Sequence, residues 1–266
     1  MFQNSPIAGV LFIVAIAISS LDFALSAMIG VLSSTITAKI LRCSDDDIDN
    51  GIYGFNGVLI AIAVVLFFEL NLLAFLYIII SASLTTIIYK YALNPIVPVY
   101  TAPFIALAWV FAYLGEMMGL TPSAISSGVY GYSYIEIAFR NISQILFCDN
   151  YFSGVLIALA LLFSSKKSFL WVVVASISAV IVADIVSLNS SKMVAGLYGY
   201  NAILTAIALS LYFKNRLVIL AGALFSIAIL ELFFMADFIA FTAPFVISCW
   251  IFILLHKGLK SIGYSS

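Results

Sequence analysis

Charge is scarce in this sequence. Only 9% of its 266 residues are charged, and eleven Lys and Arg against twelve Asp and Glu leave a net charge of -1. A chain without a basic field does not hold a phosphate backbone, so nucleic acid is excluded as a partner. The acids form one run, Asp45, Asp46, Asp47 and Asp49, read as a solvated loop face. Histidine occurs once, as His256 beside Lys257, and reads as the capped end of a helix. With one histidine, no HExxH run and no Ser and His positioned for an intramembrane protease, an enzyme is not expected, nor is an ammonium path lined by paired histidines. The three cysteines, Cys43, Cys148 and Cys249, are too few and too scattered for a disulfide framework or a zinc site. Neither Cys nor Met spacing points to a metal, and no cofactor is expected.

What fills the chain is apolar: 65% of it is hydrophobic and the mean hydropathy is +1.22, a composition that a bilayer accepts and water does not. The first twenty residues carry no Lys or Arg ahead of their apolar core, which favours a membrane helix over a cleaved signal peptide. Apolar stretches recur near 6–20, 22–38, 55–69, 71–89 and 101–115, then near 152–164, 168–188, 199–213, 217–235 and 242–256. A bilayer core of about 30 Å takes about 20 helical residues to cross. The fifth stretch of each set has only about 14, or roughly 21 Å, so it is expected to span only part of the membrane. If ten segments alternate from a cytoplasmic amino terminus, Lys39, Arg42, Lys90, Lys166, Lys167, Lys214, Arg216, Lys257 and Lys260 fall inside, and Arg140 and Lys192 outside. That bias supports ten segments and cytoplasmic ends. An odd number of segments per half then turns the second half upside down.

The halves are copies of one another. "GIYGFNGVLIAIA" at 51–63 aligns with "GLYGYNAILTAIA" at 196–208, an offset of 145 that also pairs Phe2, Gly9, Val10 and Leu11 with Phe147, Gly154, Val155 and Leu156. "VYTAPF" at 99–104 returns as "AFTAPF" at 240–245, an offset of 141. The expected organisation is a first inverted repeat over 1–117, a linker over 118–140 and a second repeat over 141–266. Inverted repeats place a binding or conduction path where the copies meet.

In each TAPF motif the proline suits the first turn of a helix, and Thr101 and Thr242 are expected as its N-caps, ahead of Pro103 and Pro244. These helix starts should lie inside the membrane, where non-helical backbone survives only if protein or a watery cavity covers it. Two half-helices would aim positive dipole ends at one centre, a field that disfavours cations. Asn56 and Asn201, in "YGFN" and "YGYN", are expected to tie backbone groups together, and Leu59 and Leu204, three residues on, either pack or line a path. Asp22, Glu69, Asp184 and Glu231 fall at or near helix ends. A proton-coupled carrier nevertheless stays open as the alternative, because intramembrane acids are the usual sign of proton coupling.

"FQNSPIAG", "GIYGFNGVL", "VPVYTAPF", "ISQILFCDN", "GLYGYNAIL" and "FIAFTAPF", in this order along almost the whole chain, resemble the urea transporter family, and its bacterial channels in particular. The resemblance implies an all-α membrane protein of ten transmembrane segments in two inverted five-helix repeats with half-spanning fifth segments. It also implies a homotrimer in the bacterial inner membrane, each protomer with a continuously open pore that passes urea passively. By motif, one slot of the pore would use Ile145 and Phe147 with Leu204, with Gln144 supplying an oxygen. The other would use Phe2 with Leu59, and Thr101 and Thr242 would flank the centre. The sequence departs from the family pattern in having only Met1 ahead of Phe2, and Ile239 where the first copy has Pro98. Urea is flat and neutral, with four N–H donors and one carbonyl acceptor, so leaving a group stripped of water costs about 1–3 kcal/mol. A ladder of oxygens between aromatic faces offsets that cost without any change of charge. A channel of the same build for another small neutral solute, such as an amide, ammonia or water, remains a further alternative.

Overall fold

The computed structural model describes residues 5–93, 96–123 and 133–261, without the side chains of 259–261. It is 77% helix, and no strand occurs among the described residues. The helices begin where polar side chains cap them. α1 (Pro6–Ser19) starts on Ser5, whose Oγ accepts from the Ala8 amide, with Pro6 in the first turn. α2 (Leu21–Ile40) starts on Ser20. The acid run forms a one-turn helix, α3 (Asp45–Asp49), rather than the expected loop, because three carboxylates in a first turn suit the positive end of a helix. α4 (Gly54–Phe67), α5 (Leu72–Ala92) and α6 (Ala102–Leu114) complete the first half. α7 (Tyr134–Ser143) opens on a full capping box between Ser133 and Glu136 and runs into a 3-10 turn at Gln144–Leu146. α8 (Tyr151–Ser164), α9 (Lys166–Ile185), α10 (Ser190–Val194), α11 (Gly199–Leu209), α12 (Arg216–Met235) and α13 (Ala243–Ser261) follow.

Each of the ten expected segments is a helix. Four of them, α2, α5, α9 and α12, are long and apolar enough to cross a bilayer. α7 with its turn and α8 meet at 74° and together pass the same test. The chain is a multi-pass integral membrane protein. α7 straddles the boundary expected at 140. The two fifth segments differ: α6 has 13 residues and α13 has 19. α1 and α8, α2 and α9, and α3 and α10 are each separated by 145 at both ends. Left-handed backbone repeats at the same interval, at Arg42 and Ser187 and at Gly51 and Gly196.

α1 packs on α8, where Ser153 Oγ donates to the Ala15 carbonyl at 2.6 Å. α2 packs on α4 and α5, and α11 on α9, α12 and α13. Where α2 crosses α4, Gly30 lies so close to the Gly57 carbonyl that no Cβ would fit. Ser34 Oγ donates to Ala82 O at 3.0 Å, and Thr86 Oγ1 donates to Ser34 O at 3.3 Å. Lipid is as apolar as leucine, so these close approaches and polar links hold the helices where burial of oil cannot. Leu25, Leu32 and Ile36 on α2 and Ile177, Ile181 and Ile185 on α9 face outward.

Candidate functional site

The two TAPF motifs meet. Thr101 Oγ1 and Thr242 Oγ1 lie 2.7 Å apart, both buried. Thr101 does stand at the N-cap of α6, but its hydroxyl makes no cap bond; it is turned to Thr242 instead. The buried helix-start amides of Phe104 and Phe245 are satisfied by asparagine. Asn56 Oδ1 accepts from the Phe104 amide at 3.2 Å while its Nδ2 donates to Tyr100 O at 3.2 Å. Asn201 Oδ1 accepts from the Phe245 amide at 3.1 Å while its Nδ2 donates to Phe241 O at 3.1 Å. Each asparagine thus reaches both sides of a motif from a neighbouring helix, with Pro103 and Pro244 buried in the first turns.

Those bonds hold an unfavourable backbone. Tyr100 (φ 49°) and Phe241 (φ 45°) are left-handed, a conformation that costs a bulky residue about 1–3 kcal/mol. Their rings then cross: Tyr100 packs on Phe245 at 5.0 Å and Phe241 on Phe104 at 5.5 Å. Two tryptophans brace the same crossing. Trp109 Nε1 donates to Ile239 O at 2.8 Å, and Trp250 Nε1 donates to Pro98 O at 2.7 Å, so each of the two helices holds the approach to the other. The sequence reading missed this pair, although Trp109 and Trp250 stand 141 apart, the interval of the TAPF motifs. Ile239, the departure from proline, keeps an amide that donates to Tyr113 Oη at 3.2 Å.

Phe147 sits in the break between the 3-10 turn and α8 with φ 58°, and packs on Phe104 at 5.8 Å and Phe241 at 6.3 Å. It therefore joins the aromatic group around the threonine pair. Gln144 is buried and donates Nε2 to Ala195 O at 2.9 Å. Ile145, Leu204 and Leu59 line one cavity of about 320 Å³ between α1, α2, α4, α8 and α11. Leu59 and Leu204, assigned to separate slots by motif, thus share a cavity. Phe2 lies outside the described residues. Arg140 and Asp149 form a 2.6 Å ion pair across the turn that carries Gln144 and Phe147, with the Arg140 side chain 10% and the Asp149 side chain 50% exposed.

Among the described residues, no charged side chain takes part in the threonine and asparagine group. Asp22, Glu69 and Asp184 are exposed, and Glu231 is half-buried and accepts from Tyr198 Oη at 2.9 Å. His256 meets the Phe213 ring at 4.9 Å near the end of α13. No cluster of metal-ligating side chains occurs among the described residues. The site offers neutral oxygens, positive helix ends and flat ring faces, a chemistry for a neutral polar solute rather than an ion.

A family model described as "Urea transporter" matches residues 1–257. The chain is similar to "Urea transporter 1" of Ovis aries and of Capra hircus, 29% identical over 252 residues in each case, and to that of Mus musculus, 26% identical over 254 residues. Each match covers 85% of this chain and 65% of the relative, so the chain spans just under two-thirds of the length of these relatives.

Proposed function

The chain belongs to the urea transporter family, a family of transport proteins rather than enzymes, and on that premise we propose that it passes urea down its gradient through a narrow path between its two halves. The carrying observation is the buried contact of Thr101 with Thr242, where the two TAPF helix starts converge without a charged group. Gln144, Ile145, Phe147, Leu204, Leu59, Thr101 and Thr242 line the path in this reading, with Phe2 added by motif. Pro103, Pro244, Asn56 and Asn201 support it. Stripping urea of water costs about 1–3 kcal/mol per unpaired group, which threonine and glutamine oxygens and helix-start backbone offset in steps. Ring faces admit a plane edge-on and exclude hydrated ions.

Ten crossings, an inverted second repeat and cytoplasmic ends belong to the same proposal. They are supported by the lysine and arginine bias, the 145-residue spacing of helix bounds and the odd number of segments per half. The division into 1–117, 118–140 and 141–266 is part of the same proposal. A homotrimer in a bacterial inner membrane follows from the resemblance alone. Proteoliposomes shrunk by a urea gradient test the function: re-swelling is expected to be fast and saturating, without ion current and unchanged by a pH gradient. Flux that collapses with the pH gradient and is lost in Glu231→Gln or Asp184→Asn would establish a proton-coupled carrier instead.

A further inference from the structure

From the threonine pair the aromatic group continues in two branches that the repeats make equivalent. Toward the end of the fold that carries Glu69, Phe241 packs on Phe67 at 6.0 Å and on Phe104 at 5.5 Å, and the Phe68 ring lies where a Cβ on Gly115 would fall. Toward the end that carries Lys214, Tyr100 packs on Phe245 at 5.0 Å, and its hydroxyl faces the Tyr212 hydroxyl and the Cys249 thiol. Phe213 meets His256 there at 4.9 Å. The repeat offsets match these partners one to one: 145 separates Phe67 from Tyr212 and Phe68 from Phe213, and 141 separates Tyr100 from Phe241, Phe104 from Phe245, Ala108 from Cys249 and Gly115 from His256. One plan of packing is thus built twice with different chemistry, rings and small apolar groups at the Glu69 end, hydroxyls and a thiol at the Lys214 end.

Ser248 falls on the polar side of this comparison. It stands where the first half has Leu107, three residues beyond Phe245 and so on the same face of α13. Its Oγ is buried and has no hydrogen-bond partner among the described residues. A buried hydroxyl left without a partner is costly, which asks for a group that satisfies it. Tyr212 is exposed and Tyr100 buried, so the tyrosine hydroxyls run from the surface to the residue beside Thr101.

We propose that Tyr100, Tyr212 and Ser248 form a binding station for a neutral solute that carries both N–H groups and a carbonyl, at the Lys214 end of the path and not at the Glu69 end. The station rests on the path proposed above and gives it a sidedness. A hydroxyl accepts from N–H and donates to a carbonyl oxygen without any charge, so three of them hold such a solute and still release it. Phe67, Phe241 and Leu107, at the equivalent places, offer no such atom. Solute entering from the Lys214 face, cytoplasmic in the proposed arrangement, reaches the station first and fills it at its dissociation constant. Solute arriving from the other face drains onward before it collects, so saturation from there takes a higher concentration.

The test is urea re-swelling of right-side-out and inside-out membrane vesicles that contain the full chain, followed over a range of urea concentrations. Half-saturation is expected to be severalfold lower from the cytoplasmic face. Tyr212→Phe, and separately Ser248→Ala, should raise that value about 3–10-fold, the effect of one lost hydrogen bond, and raise the maximal rate with it because a well has been made shallower. Tyr91→Phe, at an exposed tyrosine near the same end, should change neither. A variant that folds poorly lowers the maximal rate through the amount of active protein, and half-saturation still reads the station. Equal half-saturation from the two faces, a lower value from the opposite face, or a value unmoved in both Tyr212→Phe and Ser248→Ala would overturn the station and leave the path standing. Vesicles of the unaltered chain that pass no urea would overturn the path and the station with it.

Discussion

Asn56 and Asn201 do the same work with different reserves. The Phe241 carbonyl accepts from Asn201 and also from Tyr200 Oη at 2.6 Å, whereas the residue 145 before Tyr200 is Phe55, which has no hydroxyl. Asn201→Ala therefore removes a bond from the Phe245 amide and leaves the Phe241 carbonyl its Tyr200 bond, whereas Asn56→Ala removes bonds from the Phe104 amide and the Tyr100 carbonyl together. An unsatisfied buried group costs about 1–3 kcal/mol, so Asn56→Ala should be the more destabilising by about 1 kcal/mol in thermal unfolding of the detergent-solubilised protein. Adding Tyr200→Phe to Asn201→Ala should erase the difference. At the centre, Thr242→Val keeps the shape and removes one oxygen. If that oxygen replaces water on passing urea, a loss of about 1–1.5 kcal/mol corresponds to roughly 5–10-fold slower re-swelling. Unchanged re-swelling would take Thr242 out of the path. Asparagine as a tie between backbone groups was legible from the repeated "YGFN" and "YGYN", because few other roles suit an amide among apolar neighbours. The threonine pair was not, since a hydroxyl ahead of a helix reads as a local cap and its actual partner is 141 residues away.

Long helices were legible because apolar runs of membrane length end at polar caps, as at Ser20, Asn71, Ser165 and Asn215. α3, α7 and α10 were not: two are single turns, and α7 is amphipathic and lies across the end of the interval read as linker. Its S-x-x-E start, Ser133 to Glu136, was present in the sequence. α13 outruns α6 because the polar His256 and Lys257 continue the helix rather than ending it. α7 matters because its last turn carries Gln144, and the Arg140–Asp149 pair closes that turn onto the start of α8. Arg140 is largely buried and Asp149 half exposed, so water screens the pair in part, and removing one member should cost about 1–3 kcal/mol. Asp149→Asn should lower the thermal midpoint more than Arg140→Met with Asp149→Asn together, because only the single variant keeps the largely buried guanidinium while removing the Asp149 charge from it. A double variant that is the less stable of the two would show that the pair is not what holds the turn.

At the scale of the whole molecule, the halves touch through their repeated parts: α1 on α8, Thr101 on Thr242, Tyr100 on Phe245 and Phe241 on Phe104. In the proposed arrangement five segments per half reverse the second copy in the membrane, so that the copies face one another in reciprocal contacts of this kind. The proposed arrangement puts the loop at Lys166 on the same side as Lys39 and Lys257, and Lys192 on the other. Single cysteines introduced at Lys39, Lys166, Lys257 and Lys192 into a cysteine-free chain test it with an impermeant thiol reagent. In spheroplasts, with only the outer face exposed, Lys192→Cys should react and the other three should not; in inside-out vesicles the pattern should reverse. If Lys166→Cys and Lys192→Cys react from the same side, α9 does not cross, the second half is not an inverted copy of the first, and the two TAPF helix starts cannot converge on a midplane from opposite faces.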